Sequence, residues 1–165
     1  MIRQIYPPEA YDSQGCLKLP VVLLVCILYA VRHLLIVFLA YNPIPVLSGA
    51  VAFLQPLAKP WFVAADLPAL LVLLAWWQRR PEARDFWRRT WRSGRALLTT
   101  SLLLQFVLLV HAQGLRLWES YYLTQGERLA IVTLVVNLLL VYYLWRSPRV
   151  GDTFADFPAA TKASS

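Results

Sequence analysis

Charge is scarce in this chain, and acidic charge most of all. Nine Asp and Glu stand against sixteen Lys and Arg, and charged residues make up 15% of the 165 positions. A soluble domain carries about 25%, so a water-facing surface over the whole chain is not expected. Glycine is also sparse, at six residues, and no glycine-rich phosphate loop or dinucleotide fingerprint occurs. The two cysteines, Cys16 and Cys26, have no partner at metal-ligand spacing, and no H-x-x-x-H or E-x-x-H pattern exists. They read as free thiols, with Cys26 packed inside an apolar run. Ser48-Gly49 lacks the preceding glycine of a nucleophile elbow, and Ser101 has no histidine at a near helical spacing. Nothing here calls for a metal or a cofactor, and an enzyme is not expected.

What the chain does have is apolar length. Hydrophobic residues reach 59% and gather in long runs. The first run, about 19–41, holds fifteen Leu, Ile, Val or Phe residues together with Arg32 and His33. Their apolar sum is roughly −7 kcal/mol on the insertion scale, against about +2.5 to +3.5 for a central arginine. The run therefore inserts, and it is longer than a signal-peptide core of about 7–15 residues. Asn42-Pro43-Ile44-Pro45 stops it. Residues 46–55 are too short to span and read as an interfacial or re-entrant helix. Further spans are expected at about 60–77, with a kink at Pro68, at 97–115 and at 129–145. Trp61, Trp118, Tyr121 and Tyr122 mark one membrane boundary; Trp76, Trp77, Tyr142, Tyr143 and Trp145 mark the other.

The expected fold is an all-α integral membrane protein. A four-transmembrane-helix bundle (19–145) is flanked by an N-terminal segment (1–18) and a tail (146–165), with a short interfacial helix outside and a basic amphipathic helix in the cytoplasm. With the N-terminus inside, twelve Lys and Arg fall on the inner side and three on the outer; Arg32 lies within the membrane. The positive-inside rule then places both termini in the cytoplasm.

Two sets of residues stand out. The first is a polar seam inside the spans: Arg32, His33, Asp66, Gln105 and Asn137. Arg32 and Asp66 differ in depth by only about 5 Å at 1.5 Å of rise per residue, so an ion pair between neighbouring helices is feasible. Removing Arg32 would then leave Asp66 uncompensated and lower stability. Tyr29, Arg32, His33 and Ile36 share one face at helical spacing. Ser101 with Gln105, and Thr133 with Asn137, form interhelical hydrogen-bond seams. The seam is either a register-fixing structure or a path for protons or a polar ligand. An enzyme built on His33, His111 and Asp66 is the remotest reading.

The second set lies in residues 79–95. On a helical wheel Phe86, Trp87, Thr90, Trp91 and Gly94 share one arc, and Arg84, Arg88, Arg89, Arg92 and Arg95 the opposite one. A basic helix with tryptophans on its apolar face lies in the membrane interface. The expected lipid-facing residues are Arg84, Trp87, Arg88, Trp91, Arg92 and Arg95, meeting anionic headgroups at about 1 kcal/mol per arginine. A topology signal alone and docking of a cytoplasmic partner are the alternatives. Nucleic acid is not expected beside two spans.

Tyr11-Asp12-Ser13-Gln14-Gly15-Cys16-Leu17-Lys18-Leu19-Pro20, Leu67-Pro68-Ala69-Leu70-Leu71 and the tail Tyr143-Leu144-Trp145-Arg146-Ser147 through Phe154-Ala155-Asp156-Phe157-Pro158 carry a resemblance. Across about 11–158 the chain resembles the YfeZ-like bacterial inner-membrane proteins, a family of unknown function. The resemblance implies an inner-membrane location, no established activity, and weight on residues 11–20 and 143–158. The functional expectation is a scaffold or accessory subunit working through helix packing and through lipid, partner or self-association contacts. The alternative is a small oligomeric transporter or channel.

Overall fold

A computed structural model describes residues 6–12, 16–42, 59–119 and 125–158, with side chains left aside at 113–119 and 125–126. The interfacial helix expected at 46–55, the boundary aromatics Trp118, Tyr121 and Tyr122, and the chain after Pro158 lie outside the residues so described.

The described chain is helical. α1 (Val21–Ala30) and α2 (Arg32–Tyr41) share the first apolar run, followed by α3 (Pro60–Trp77), α4 (Asp85–Arg92), α5 (Gly94–Glu119), α6 (Gln125–Arg146) and α7 (Pro148–Ala155). α3 begins on Pro60, whose missing N–H costs nothing at a helix start. α3 matches the expected second span. α5 and α6 run a few residues beyond the expected third and fourth at each described end.

Among the described residues, three helices are long and apolar enough to cross a membrane: Pro60–Trp77, Gly94–Ala112 and Glu127–Arg146. The pair α1 and α2 makes a fourth if it is one span, but it is bent by 65°. That bend divides the run expected to form one span at about 19–41 into two helices. It falls at Val31 (φ −99°, ψ 14°), where neither proline nor glycine stands. α3, by contrast, runs unbroken through Pro68.

Buried faces carry small residues. Ala30, Ala69 and Ala75 are fully buried and Ala65 nearly so, while Val25, Phe38, Leu67, Val107, Val132 and Leu139 point outward. Lipid is as apolar as leucine, so membrane helices associate through close packing and hydrogen bonds, which small residues permit. α3 and α5 form the most extensive pair; α6 packs chiefly on α5.

At one end of the bundle, α4 and α7 form a cap with the N-terminal segment. Trp91 is fully buried and its ring lies 4.9 Å from that of Phe154. Its Nε1 donates to the carbonyls of Thr153 and Asp156. The wheel arc expected to face lipid therefore faces protein: Thr90, Trp91 and Gly94 are buried against the tail, and Phe86 alone of that arc is exposed. The tail supplies its own helix because Pro148 at the first turn and the buried Val150, Thr153 and Phe154 give it one apolar side.

Candidate functional site

The bend at Val31 interrupts the backbone ladder, and the groups it frees must find partners inside the bundle. The Ala30 carbonyl accepts Gln105 Nε2 at 2.7 Å, and the Tyr29 carbonyl accepts Arg32 Nη1 at 3.0 Å. On the other side of the break α2 starts with unpaired amides. Leu34 N–H, in that first turn, donates to Asp66 Oδ2 at 3.0 Å. Asp66 reaches across from α3 and caps α2, placing a carboxylate at the positive end of a helix.

Asp66 is fully buried. Its Oδ1 meets His33 Nδ1 at 3.0 Å and accepts Gln105 Nε2 at 2.7 Å. His33 is buried and stacks on Phe62, with ring centroids 5.1 Å apart. Gln105 Oε1 accepts Arg32 Nη1 at 2.7 Å, and the Arg32 guanidinium stands 4.1 Å over the Tyr29 ring.

The structure thus brings Arg32, His33, Asp66 and Gln105 together, with one change in their pairing. No direct ion pair joins Arg32 to Asp66. Asp66 Oδ1 pairs instead with the His33 ring, and Arg32 reaches the carboxylate through the amide of Gln105. Acidic and basic side chains are held in a common hydrogen-bonded set, as intramembrane ionisable groups usually are.

Ser101 Oγ donates to the Ala65 carbonyl at 2.8 Å, one residue past the carbonyl that Pro68 deprives of its usual donor. Asn137 is buried but apart from the centre: Nδ2 reaches the Leu102 carbonyl at 3.4 Å, and Oδ1 has no protein partner among the described residues. His111 is exposed, and no group of three His, Cys, Asp or Glu capable of holding a metal exists among the described residues. His33, His111 and Asp66 are not gathered into one site.

The basic segment divides. Arg84 and Arg92 are exposed, whereas Arg88 is half-buried, donating to the Pro81 carbonyl at 2.7 Å with its guanidinium 5.5 Å from the Phe157 ring. Trp87 is half-buried and Trp91 is sealed, so neither tryptophan is a free lipid anchor. Sequence reading missed Arg79, which fastens three segments. Its guanidinium donates to the Leu17 carbonyl at 2.8 Å and the Asp156 carbonyl at 3.2 Å, and lies 5.3 Å from the Trp91 ring. Leu17 N–H closes the set on Asp156 Oδ2 at 2.8 Å, and Tyr6 Oη donates to Asp152 at 2.8 Å. Beside this junction burial pushes the Cys16 thiol up, and the nearby Asp156 charge adds to the effect.

No curated protein and no solved structure matches the chain. One family profile does, described as "Protein of unknown function (DUF2919)", over residues 6–156. That span takes in the tyrosine-led N-terminal segment, the polar centre and the tail helix, and by it the chain belongs to the DUF2919 family of proteins of unknown function.

Proposed function

We propose that the protein is a non-enzymatic scaffold or accessory subunit of the bacterial inner membrane, with four spans and both ends in the cytoplasm. The observation that carries this reading is the closure of the polar centre. Asp66 and Gln105 have no solvent exposure, and their hydrogen bonds run to one another, to His33, to Arg32 and to the backbone at the break. A set in which the carboxylate and the amide satisfy one another in this way fixes how the spans sit together.

Four crossings, rather than three, are supported by the inner cap. Leu17 precedes the first apolar run, Arg79 follows the second span, and Asp156 follows the last, yet these residues hydrogen-bond to one another. Segments in contact outside the bilayer share a side. An even number of crossings between Leu17 and Arg79 fits that contact and favours counting the bent pair as one span. The twelve-to-three basic bias supports the cytoplasm as that side.

The experiment is gentle purification from native membrane followed by identification of what remains bound. A stoichiometric protein partner is the expected result; a bare homo-oligomer argues against the accessory reading.

A second reading has one observation in its favour. A span broken at mid-length, with a carboxylate at the amide end of the half-helix, is the arrangement from which transporters build ion and substrate sites. On that reading Arg32, His33 and Asp66 would open to solvent during a cycle. Ion or proton flux in reconstituted vesicles separates the two.

A further inference from the structure

The inner end of the bundle carries an open, positively charged cleft that lies outside the polar centre. Its volume is about 380 Å³, and its walls are Arg92, Arg95, Gly151, Phe154 and Ala155. Two arginines line it and no carboxylate does. The two acids adjacent to its walls in sequence are engaged elsewhere: Asp152 by the Tyr6 hydroxyl and Asp156 by Leu17 N–H.

Arg95 is held rigidly by the end of α6. Its Nε donates to the Leu144 carbonyl at 2.7 Å, and its Nη2 to the carbonyls of Ser147 at 3.3 Å and Trp145 at 3.4 Å. The last carbonyls of a helix lack intrahelical partners and carry its negative end, which explains the seat. The Trp145 ring lies 5.1 Å from the guanidinium. Nη1 has no protein acceptor among the described residues. It lies, with Nη2, 3.6 Å from where a side chain at position 151 would begin. Arg92, on the last turn of α4, is exposed and has no partner among the described residues. Gly151 and Ala155 keep the cleft open, and Phe154 gives it one apolar wall.

Depth sets what can enter. Arg95 lies in the first turn of the span that begins at Gly94, and Leu144 and Trp145 in the last turn of the span that ends at Arg146. Trp145 is 58% exposed, as an interfacial aromatic is. A guanidinium whose Nη1 is free, next to a second arginine that is exposed, matches the oxygens of a phosphate group.

We propose that this cleft binds a phosphate group, and that its level in the bilayer makes an anionic lipid headgroup the source. The inference rests on the reading of residues 79–95 as a lipid-surface segment and narrows that reading from a helix face to two arginines around Gly151.

The test uses the full chain in nanodiscs holding equimolar phosphatidylglycerol and phosphatidylcholine, with retained lipid counted by native mass spectrometry. Preferential retention of phosphatidylglycerol is expected. Arg92→Gln lowers it about fivefold, the factor matching ~1 kcal/mol per surface arginine. Gly151→Leu fills the cleft and lowers it as much with every charge intact. Arg84→Gln and Arg89→Gln, exposed and away from the cleft, leave it unchanged. A parallel arm titrates inorganic phosphate: saturable binding that displaces lipid and is lost in Gly151→Leu keeps the phosphate site but reassigns its source to a free phosphate. If Gly151→Leu retains lipid while Arg84→Gln and Arg89→Gln weaken it as much as Arg92→Gln does, the cleft is overturned and the lipid-surface reading stands. If the unmodified protein shows no preference, both fall.

Discussion

A single amide joins the two arms of the polar centre. Gln105 gives both N–H groups away, to Asp66 and to the Ala30 carbonyl, and takes Arg32 on its oxygen. Gln105→Leu keeps the volume and removes all three bonds, leaving a buried carboxylate short of a donor and a carbonyl at the break unpaired. Each buried group so orphaned costs about 1–3 kcal/mol. Arg32→Ala removes only the outermost member and leaves Asp66 with His33, Leu34 N–H and Gln105. Thermal midpoints of the purified variants in detergent are therefore expected in the order unmodified, Arg32→Ala, Gln105→Leu, from highest to lowest. If Arg32 instead paired directly with Asp66, Arg32→Ala would be the more damaging. The sequence placed Arg32, His33, Asp66 and Gln105 inside spans because charge and amide stand out in apolar runs. It did not identify their partners, since equal depth on adjacent helices allows several pairings and only the rotation of each helix selects one.

Element boundaries followed from composition where composition was decisive. α3 runs from Pro60 to Trp77, as the apolar run and its proline start predict. The break at Val31 was not legible, because the residues around it, Tyr29-Ala30-Val31-Arg32, contain no helix breaker. What holds the break open is tertiary: Gln105 from α5 and Asp66 from α3 take up the backbone groups it frees. The amphipathic arc of α4 was legible as an arc, but not its partner. An apolar stripe over lipid and one over α7 look alike in sequence, and the tail helix that covers it is only eight residues long. That junction has a close approach at Gly94, where an added Cβ would strike the Phe154 ring. Phe154 is buried, with its ring 4.9 Å from that of Trp91. Gly94→Ala, ordinarily favourable in a helix, is expected to destabilise by about 1–3 kcal/mol through overpacking. Gly94→Ala combined with Phe154→Leu should recover part of the loss, read as thermal midpoint or as resistance to proteolysis of the tail.

At the scale of the molecule, the cap of α4 and α7 ties the N-terminal segment, the loop after α3 and the tail into one layer. Cys16 reports on that layer. It is 4% exposed, and burial holds its thiol above the ordinary range, so little thiolate forms at neutral pH. A water-soluble maleimide should label Cys16 slowly in the folded protein and fast in denaturant. Arg79→Ala, which removes the guanidinium's bonds to the Leu17 and Asp156 carbonyls and leaves the single Leu17 N–H bond to Asp156, should raise the folded rate toward the denatured one. The larger claim is that the polar centre is a closed structural joint of a scaffold. One paired measurement bears on it most directly: the thermal midpoint of Asp66→Asn, and proton flux through reconstituted vesicles for Asp66→Asn and the unmodified protein. The account predicts a lowered midpoint for Asp66→Asn and flux from the unmodified protein no greater than from empty vesicles. Flux from the unmodified protein that Asp66→Asn abolishes at an unchanged midpoint would contradict it.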